Sequence, residues 1–173
     1  IRDRRESNKA YVNDFDRTHR AEAIIADYHE FSKAELEEKN IDGINLAGRI
    51  VLKRVMGNAS FITIRDELSD LQAYVSKNDI GEDDYADFKT WDIGDIVGLS
   101  GKLFRTKTDE LTVHCSAVTM ITKSLKPMPE KHKGLSDIET RYRQRYLDLM
   151  SNNETKELFL SRSKILDSVR TTM

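Results

Sequence analysis

The spacing of apolar residues changes character near residue 44. Before that point Ala21, Ile24, Ile25 and Tyr28 recur at the interval of one helix face, with Phe31 closing the stripe. Ser32 and Glu35 have the spacing of a capping box, in which each side chain satisfies the other residue's free backbone N–H. They open a short second helix that runs to about Lys39. Residues 1–17 are charged, with Tyr11, Val12 and Phe15 as their apolar points. Whether the helices lean on the domain that follows or help to hold a ligand is left open by the pattern.

After the Asp42-Gly43 turn, the period becomes that of strands. Ile44 to Val55 reads as a strand with Gly48 inside it, where a curled sheet bends. A Gly57-Asn58 loop leads to Ala59–Glu67, where Ile62 and Ile64 point one way and Phe61, Thr63 and Arg65 the other. Ser69-Asp70 turns into Leu71–Lys77, with Leu71, Ala73 and Val75 toward the core and Gln72, Tyr74 and Ser76 opposite. An acidic helical stretch, Glu82 to Trp91, carries Tyr85, Phe88 and Trp91 along one edge. A fourth strand, Asp95–Thr106, contains Gly98 and Gly101. The turn Thr106-Lys107-Thr108-Asp109 precedes a fifth, Glu110–Lys123, with Leu111, Val113 and Cys115 on one face and Glu110, Thr112, His114 and Ser116 on the other.

This order predicts a mainly β protein with flanking α-helices: a five-stranded OB-fold Greek-key barrel with N-terminal helices and a C-terminal helical extension. Another small Greek-key barrel is the structural alternative. The expected segments are a helical lead-in (1–43), the barrel (44–123), a linker and hinge (124–150) and a final segment (151–173). Pro127 and Pro129, the only prolines, mark the linker. Ser136 and Glu139 have capping-box spacing and open a helix carrying Ile138, Tyr142, Tyr146 and Leu149, which Asn152-Asn153 breaks. The last helix has an apolar stripe of Leu158, Ile165, Leu166 and Val169, and the chain ends without a cap or a partner for it. We therefore expect the sequence to be cut from a longer protein.

Composition narrows the function. A charged fraction of 34% against 38% hydrophobic fits one modest core with much solvated helix. A net charge of −2 argues against bulk electrostatic binding to nucleic acid, but basic residues cluster locally, at Arg49, Lys53 and Arg54 and again at Lys102, Arg105 and Lys107. No apolar run is long enough to cross a membrane, and no membrane partner is expected. Cys115 is the only cysteine, which excludes an internal disulfide and a multi-cysteine zinc site and makes a cytoplasmic setting the default.

An OB barrel binds on the face of its second and third strands, between the loops joining strands one to two and four to five. The sequence puts Arg54 and Asn58, then Phe61, Thr63 and Arg65, then Gln72 and Tyr74, then Arg105, Lys107 and Glu110 on that surface. The set suits an unpaired nucleotide strand. Phe61 offers a flat apolar surface for a base, Gln72 both donates and accepts at a base edge, and Arg54 gives directed donors. Arg49, Lys53, Arg105 and Lys107 are candidate phosphate contacts. Glu110 repels phosphate and is better suited to accept from a base. Each has a plainer alternative, as core or solvated edge. Under strict alternation Arg54 is out of phase with Arg49 and Lys53, so it reaches their face only if the strand bulges or the loop has begun. No catalytic residue is assigned: there is no Gly-rich phosphate loop, metal-ligand spacing or nucleophile with a placed base.

Four stretches carry a resemblance: Ala47-Gly48-Arg49 through Ser60-Phe61; Trp91-Asp92-Ile93-Gly94-Asp95; Gly101 through Thr108 with Glu110-Leu111; and Gly134-Leu135 through Leu149. In these the chain resembles the N-terminal part of the bacterial lysyl-tRNA synthetases, class II enzymes of the aspartyl, asparaginyl and lysyl subgroup. The resemblance implies that the barrel binds the U-rich anticodon of lysine tRNA. Phe61 matches a phenylalanine that stacks on the central uridine, Arg54 and Gln72 match residues that bond its edge, and Glu110 matches one that helps recognise a neighbouring base. It further implies a homodimer and a class II catalytic domain that begins at 151–173, whose remaining part, outside this sequence, uses ATP and magnesium, so the chain alone is expected to hold no cofactor or metal and to be inactive. A protein that binds single strands without sequence preference is the second reading.

Overall fold

The computed structural model describes residues 12–67, 69–129, 135 and 137–173, which fall into two compact units divided between Lys126 and Pro127. In the first unit, helices α1 (Ala21–Tyr28) and α2 (Lys33–Lys39) precede strands β1 (Ile44–Met56), β2 (Ala59–Arg65) and β3 (Asp70–Ser76). Short helices α3 (Lys77–Ile80) and α4 (Glu82–Lys89) lead to β4 (Ile96–Arg105) and β5 (Leu111–Thr122). The strands close into a barrel in the order β1-β2-β3-β5-β4. All neighbouring pairs are antiparallel except β3 with β5, which is parallel.

The predicted alternation produces the core. Ile62 and Ile64, Leu71, Ala73 and Val75, and Val113 and Cys115 are all buried, and they meet Ile44, Leu46 and Ile50 of β1 and Val97, Leu99 and Leu103 of β4. Tyr85, Phe88 and Trp91 join the same cluster from α4 and its end. Ala21, Ile24 and Leu36 join it too, so α1 and α2 pack on the barrel. The capping box at Ser32 and Glu35 is formed. Gly101 is required by close approach: a Cβ there would stand 2.0 Å from the His114 carbonyl oxygen. Both Asp95, fully buried, and Trp91 lie in the turn before β4, and Asp95 accepts from Lys123 Nζ at 2.8 Å and from the Ser124 backbone N–H at 2.8 Å.

The β1–β2 hairpin is held from below. Its turn is Gly57-Asn58, between the paired Met56 and Ala59. The buried Tyr85 hydroxyl bonds Ser60 Oγ at 2.8 Å and donates to the Gly57 carbonyl at 3.1 Å, and the Lys77 N–H donates to the Asn58 carbonyl at 2.9 Å.

The second unit contains α5 (Ile138–Arg143), α6 (Arg145–Ser151) and α7 (Asn153–Thr172). Ser136 lies outside the described residues; the α5 cap is Asp137, whose carboxylate accepts from the Thr140 N–H at 2.7 Å. Hydrogen bonding to that N–H and hydroxyl holds the Asp137 carboxyl below its ordinary range. The single helix expected to Asn152 is interrupted at Gln144, where the backbone leaves helical geometry. Asn152 then caps α7. The buried Asp148 pairs with Arg141 at 3.1 Å and with Arg145. Leu158, Ile165, Leu166 and Val169 of α7 are exposed.

Candidate nucleic-acid interface

Directly paired residues in neighbouring strands share a face of the sheet. With Ser60, Ile62 and Ile64 buried, the intervening residues of β2 face outward. The strand registers then align two rows across the outside of the barrel. One runs Arg54, Phe61, Tyr74, His114 and Lys102; the next runs Leu52, Thr63, Gln72, Thr112 and Phe104.

Arg54 joins the first row because β1 shifts register between Ile50 and Leu52. An extra residue there reverses the phase of the strand. Ile50 pairs with the buried Ile64, yet Leu52 pairs with outward Thr63 and Arg54 with outward Phe61. The same shift sends Lys53 the other way, opposite buried Ile62. Its ammonium donates to the carbonyls of Phe88, Lys89 and Trp91 at 2.8, 3.1 and 2.7 Å and lies 4.7 Å from the Phe88 ring centre. All three ammonium donors are thus committed to the C-terminal end of α4, where carbonyls lack helical partners. Burial pulls the Lys53 pKa down, with Asp92 and Asp95 acting against it.

The other expected phosphate contacts divide in the same manner. Arg49 Nη1 donates to the Gly94 carbonyl at 2.6 Å, at the far end of the face. Arg105 is a strut: its guanidinium donates to the carbonyls of Phe31 and Asp109, each at 2.5 Å, and to that of His29. It ties the α1–α2 connection to the β4–β5 turn, with its side chain only 10% exposed. Lys107 is exposed in that turn, and Lys102 is exposed at the end of the first row. Arg49, Lys53 and Arg105 thus spend donors on main-chain carbonyls, Lys53 all three of its ammonium hydrogens and Arg49 one nitrogen of its guanidinium.

The aromatic surface is broader than the single phenylalanine expected. Ring centres of Phe61 and Tyr74 are 5.2 Å apart, those of Tyr74 and His114 5.1 Å, and those of His114 and Phe104 5.5 Å. All four side chains are half-buried. His114 Nε2 lies 2.8 Å from Asp79 Oδ2, which orients the imidazole; this bond, helped by Ser76, holds the Asp79 carboxyl below its ordinary range. His114 thus adds its ring to this aromatic surface, and among the described residues no three His, Cys, Asp or Glu side chains gather in one cluster. Burial pushes the Cys115 thiol pKa far up, so it is inert as a nucleophile at neutral pH.

Gln72 and Glu110 are brought together. Gln72 Nε2 donates to Glu110 Oε2 at 2.7 Å, and Gln72 Oε1 accepts from Thr112 Oγ1 at 3.0 Å. Gln72 is 7% exposed, Thr112 is fully buried and Glu110 is exposed. One amide hydrogen and one oxygen lone pair of Gln72 remain for a ligand. The Glu110 main chain is fixed by the Thr106 side chain, which accepts from its N–H at 3.1 Å. Phe61, Arg54, Gln72 and Glu110 therefore share one surface. Sequence reasoning put Tyr74, Thr112 and His114 on the right face but assigned them no part; it named Lys102 only as part of a basic cluster and missed Phe104. The missing signal is the parallel β3–β5 pairing, which joins segments some forty residues apart.

Comparison with known proteins agrees with the barrel fold. The tRNA anti-codon family, an OB-fold nucleic acid binding domain, matches residues 44–121. Lysine–tRNA ligase of Chromobacterium violaceum is 49% identical over 169 residues, 98% of this chain and 34% of that protein. The lysine–tRNA ligase of Actinobacillus pleuropneumoniae serotype 5b is 51% identical over 167 residues, 96% of this chain and 33% of that protein. That of Azoarcus sp. strain BH72 is 48% identical over 169 residues. The chain spans about a third of the length of these relatives.

Proposed function

The chain belongs to the lysyl-tRNA synthetase family, and on that footing we propose that its barrel binds the anticodon loop of lysine tRNA on the outer face of β2 and β3. Phe61 stacks on the central uridine, Arg54 and the free amide hydrogen and lone pair of Gln72 bond that base's edge, and Glu110 accepts from a neighbouring base. Lys102 and Lys107 neutralise phosphates of the loop. The observation that carries the reading is the pairing of Arg54 with Phe61 on the outer face, one row from a Gln72 already bonded to Glu110. An aromatic ring flanked by a directed cation and an oriented amide suits one unstacked base; a nonspecific groove has no use for a carboxylate beside it.

In this proposal the longer protein attaches lysine to tRNA with ATP and magnesium, acts as a homodimer, and works in the cytoplasm. No step of that chemistry is assigned to residues of this chain. Segment 124–150 serves as the linker and hinge toward the catalytic domain, and residues 151–173 begin that domain with a helix that contributes to the dimer interface. Among the described residues no helix is long and apolar enough to cross a membrane.

The test is titration of the chain with a stem-loop carrying the lysine anticodon. Phe61→Ala should weaken binding by roughly 1–3 kcal/mol, about 5- to 150-fold. Equal affinity for a loop with guanosine in place of the central uridine would sink the proposal and favour sequence-independent single-strand binding.

A further inference from the structure

We propose that Arg105 is a positioning residue for base reading: it fastens the β4–β5 turn to the corner between α1 and α2, and so holds the Glu110 carboxylate where the base beside the central uridine meets it. The inference rests on the anticodon-reading proposal above.

A carboxylate aimed at one base edge needs both ends of its side chain held. Gln72 holds the tip of Glu110, donating to Oε2 at 2.7 Å. The root depends on the turn. Glu110 is exposed, and Asp109 before it has a φ of 62°, in the left-handed region that a residue with a Cβ enters at a cost. Inside the turn the partner is Thr106. Its N–H donates to the Glu110 carbonyl, its carbonyl accepts from the Asp109 N–H and its hydroxyl accepts from the Glu110 N–H, each at 3.1 Å. These bonds give the turn its shape. They do not join it to anything outside, because Thr106 belongs to the turn and moves with it.

Arg105 makes that outside connection. Its Nη1 donates to the Asp109 carbonyl at 2.5 Å. That carbonyl and the Glu110 N–H are two edges of one planar peptide group, so the unit leading into Glu110 is gripped on both sides. The same guanidinium donates from Nε to the Phe31 carbonyl at 2.5 Å and from Nη2 to that of His29, just past the end of α1. A guanidinium has only donors and a carbonyl only accepts, so the three bonds have a single sense and admit no exchange of roles. The corner they reach is itself seated on the barrel. Ile24 and Leu36, on either side of it, are buried in the core, and the Ile41 carbonyl accepts from the Leu103 N–H at 2.9 Å. Through this one side chain α1 and α2 act on base reading by way of the turn.

The experiment measures binding of the full chain to a stem-loop with uridine at all three anticodon positions and to two others with cytidine at one or the other flanking position. Uridine offers a carboxylate its N3–H, where cytidine has a bare acceptor. The readout is the ratio of dissociation constants for cytidine over uridine at each flanking position. Glu110→Gln identifies the position that the carboxylate reads, as the one whose ratio it lowers. Arg105→Met should lower that same ratio about fivefold, the worth of one misplaced hydrogen bond, and leave the other ratio unchanged. Arg105→Lys, which keeps the charge but not the three-way fork, should lower it as much. Arg105→Gln supplies a further variant with the same expected loss should methionine perturb folding. A uniform weakening of every loop by methionine that lysine restores makes Arg105 a phosphate contact and overturns the inference, as does an unchanged ratio in the methionine and glutamine variants. If Glu110→Gln leaves both ratios as in the wild type, the anticodon reading fails at Glu110 itself, and the inference with it.

Discussion

At the scale of single residues, the outer face is built from groups whose partners have already been chosen. Asp79 illustrates this. Its hydrogen bond to His114 holds the carboxyl below its ordinary range. A folded-state pKa below the unfolded one stabilises the protein at every pH above the unfolded value, and that contribution disappears as pH falls through the folded value. Thermal melting of the wild type should therefore decline more steeply on acidification below about pH 4 than that of Asp79→Asn, which has no carboxylate to protonate. A parallel decline would remove the Asp79 hydrogen bond from the account of how His114 is held. Phe61, Gln72 and Glu110 were legible in the sequence because an aromatic or amide at an outward position of a strand stands out against its alternating neighbours. The fates of Lys53, Arg49 and Arg105 were not. A cation bonded to carbonyls 35 or more residues away looks, along the chain, like one waiting for phosphate.

At the scale of elements, five strands and the helices around them followed from the period of the apolar residues, since burying one face of a strand fixes every second residue. The phase of β1 beyond Ile50 did not follow, because a bulge adds a residue without changing composition. The alternation showed only that Arg54 needed one. The helix cap at Asp137 shows a similar limit: Ser136 and Asp137 both precede a helix and both side chains can cap, so spacing alone does not choose between them. Where β4 meets β5, the constraint is steric. A methyl group at Gly101 would stand 2.0 Å from the His114 carbonyl oxygen and 2.8 Å from its carbon, both rigid backbone atoms. Gly101→Ala should cost on the order of 3 kcal/mol of unfolding free energy in denaturant melts. Because the strain falls on His114, it should also weaken stem-loop binding more than an equally destabilising change at Leu36, on the helical side of the core.

At the scale of the whole molecule, an overall negative charge coexists with a small positive edge, so the salt dependence of binding should be shallow. Two phosphates neutralised by Lys102 and Lys107 give a slope of about −1.4 for log affinity against log salt on a single strand, whereas engagement of all four cations suggested by the sequence gives about −2.8. A titration series across salt concentrations separates the two, and the steeper slope would return Arg49, Lys53 and Arg105 to the interface. The barrel's closure bears on synthesis as well as on binding. The chain leaves the ribosome from its N-terminus, so Phe61, Tyr74 and the bulged edge of β1 emerge well before β5 does. Until β5 inserts between β3 and β4, Gln72 lacks both Glu110 and Thr112, and the aromatic surface lacks His114. If the proposed anticodon reading holds, a nascent chain gains its base-reading groups only when β5 arrives, and half-made copies carry no selective grip on tRNA.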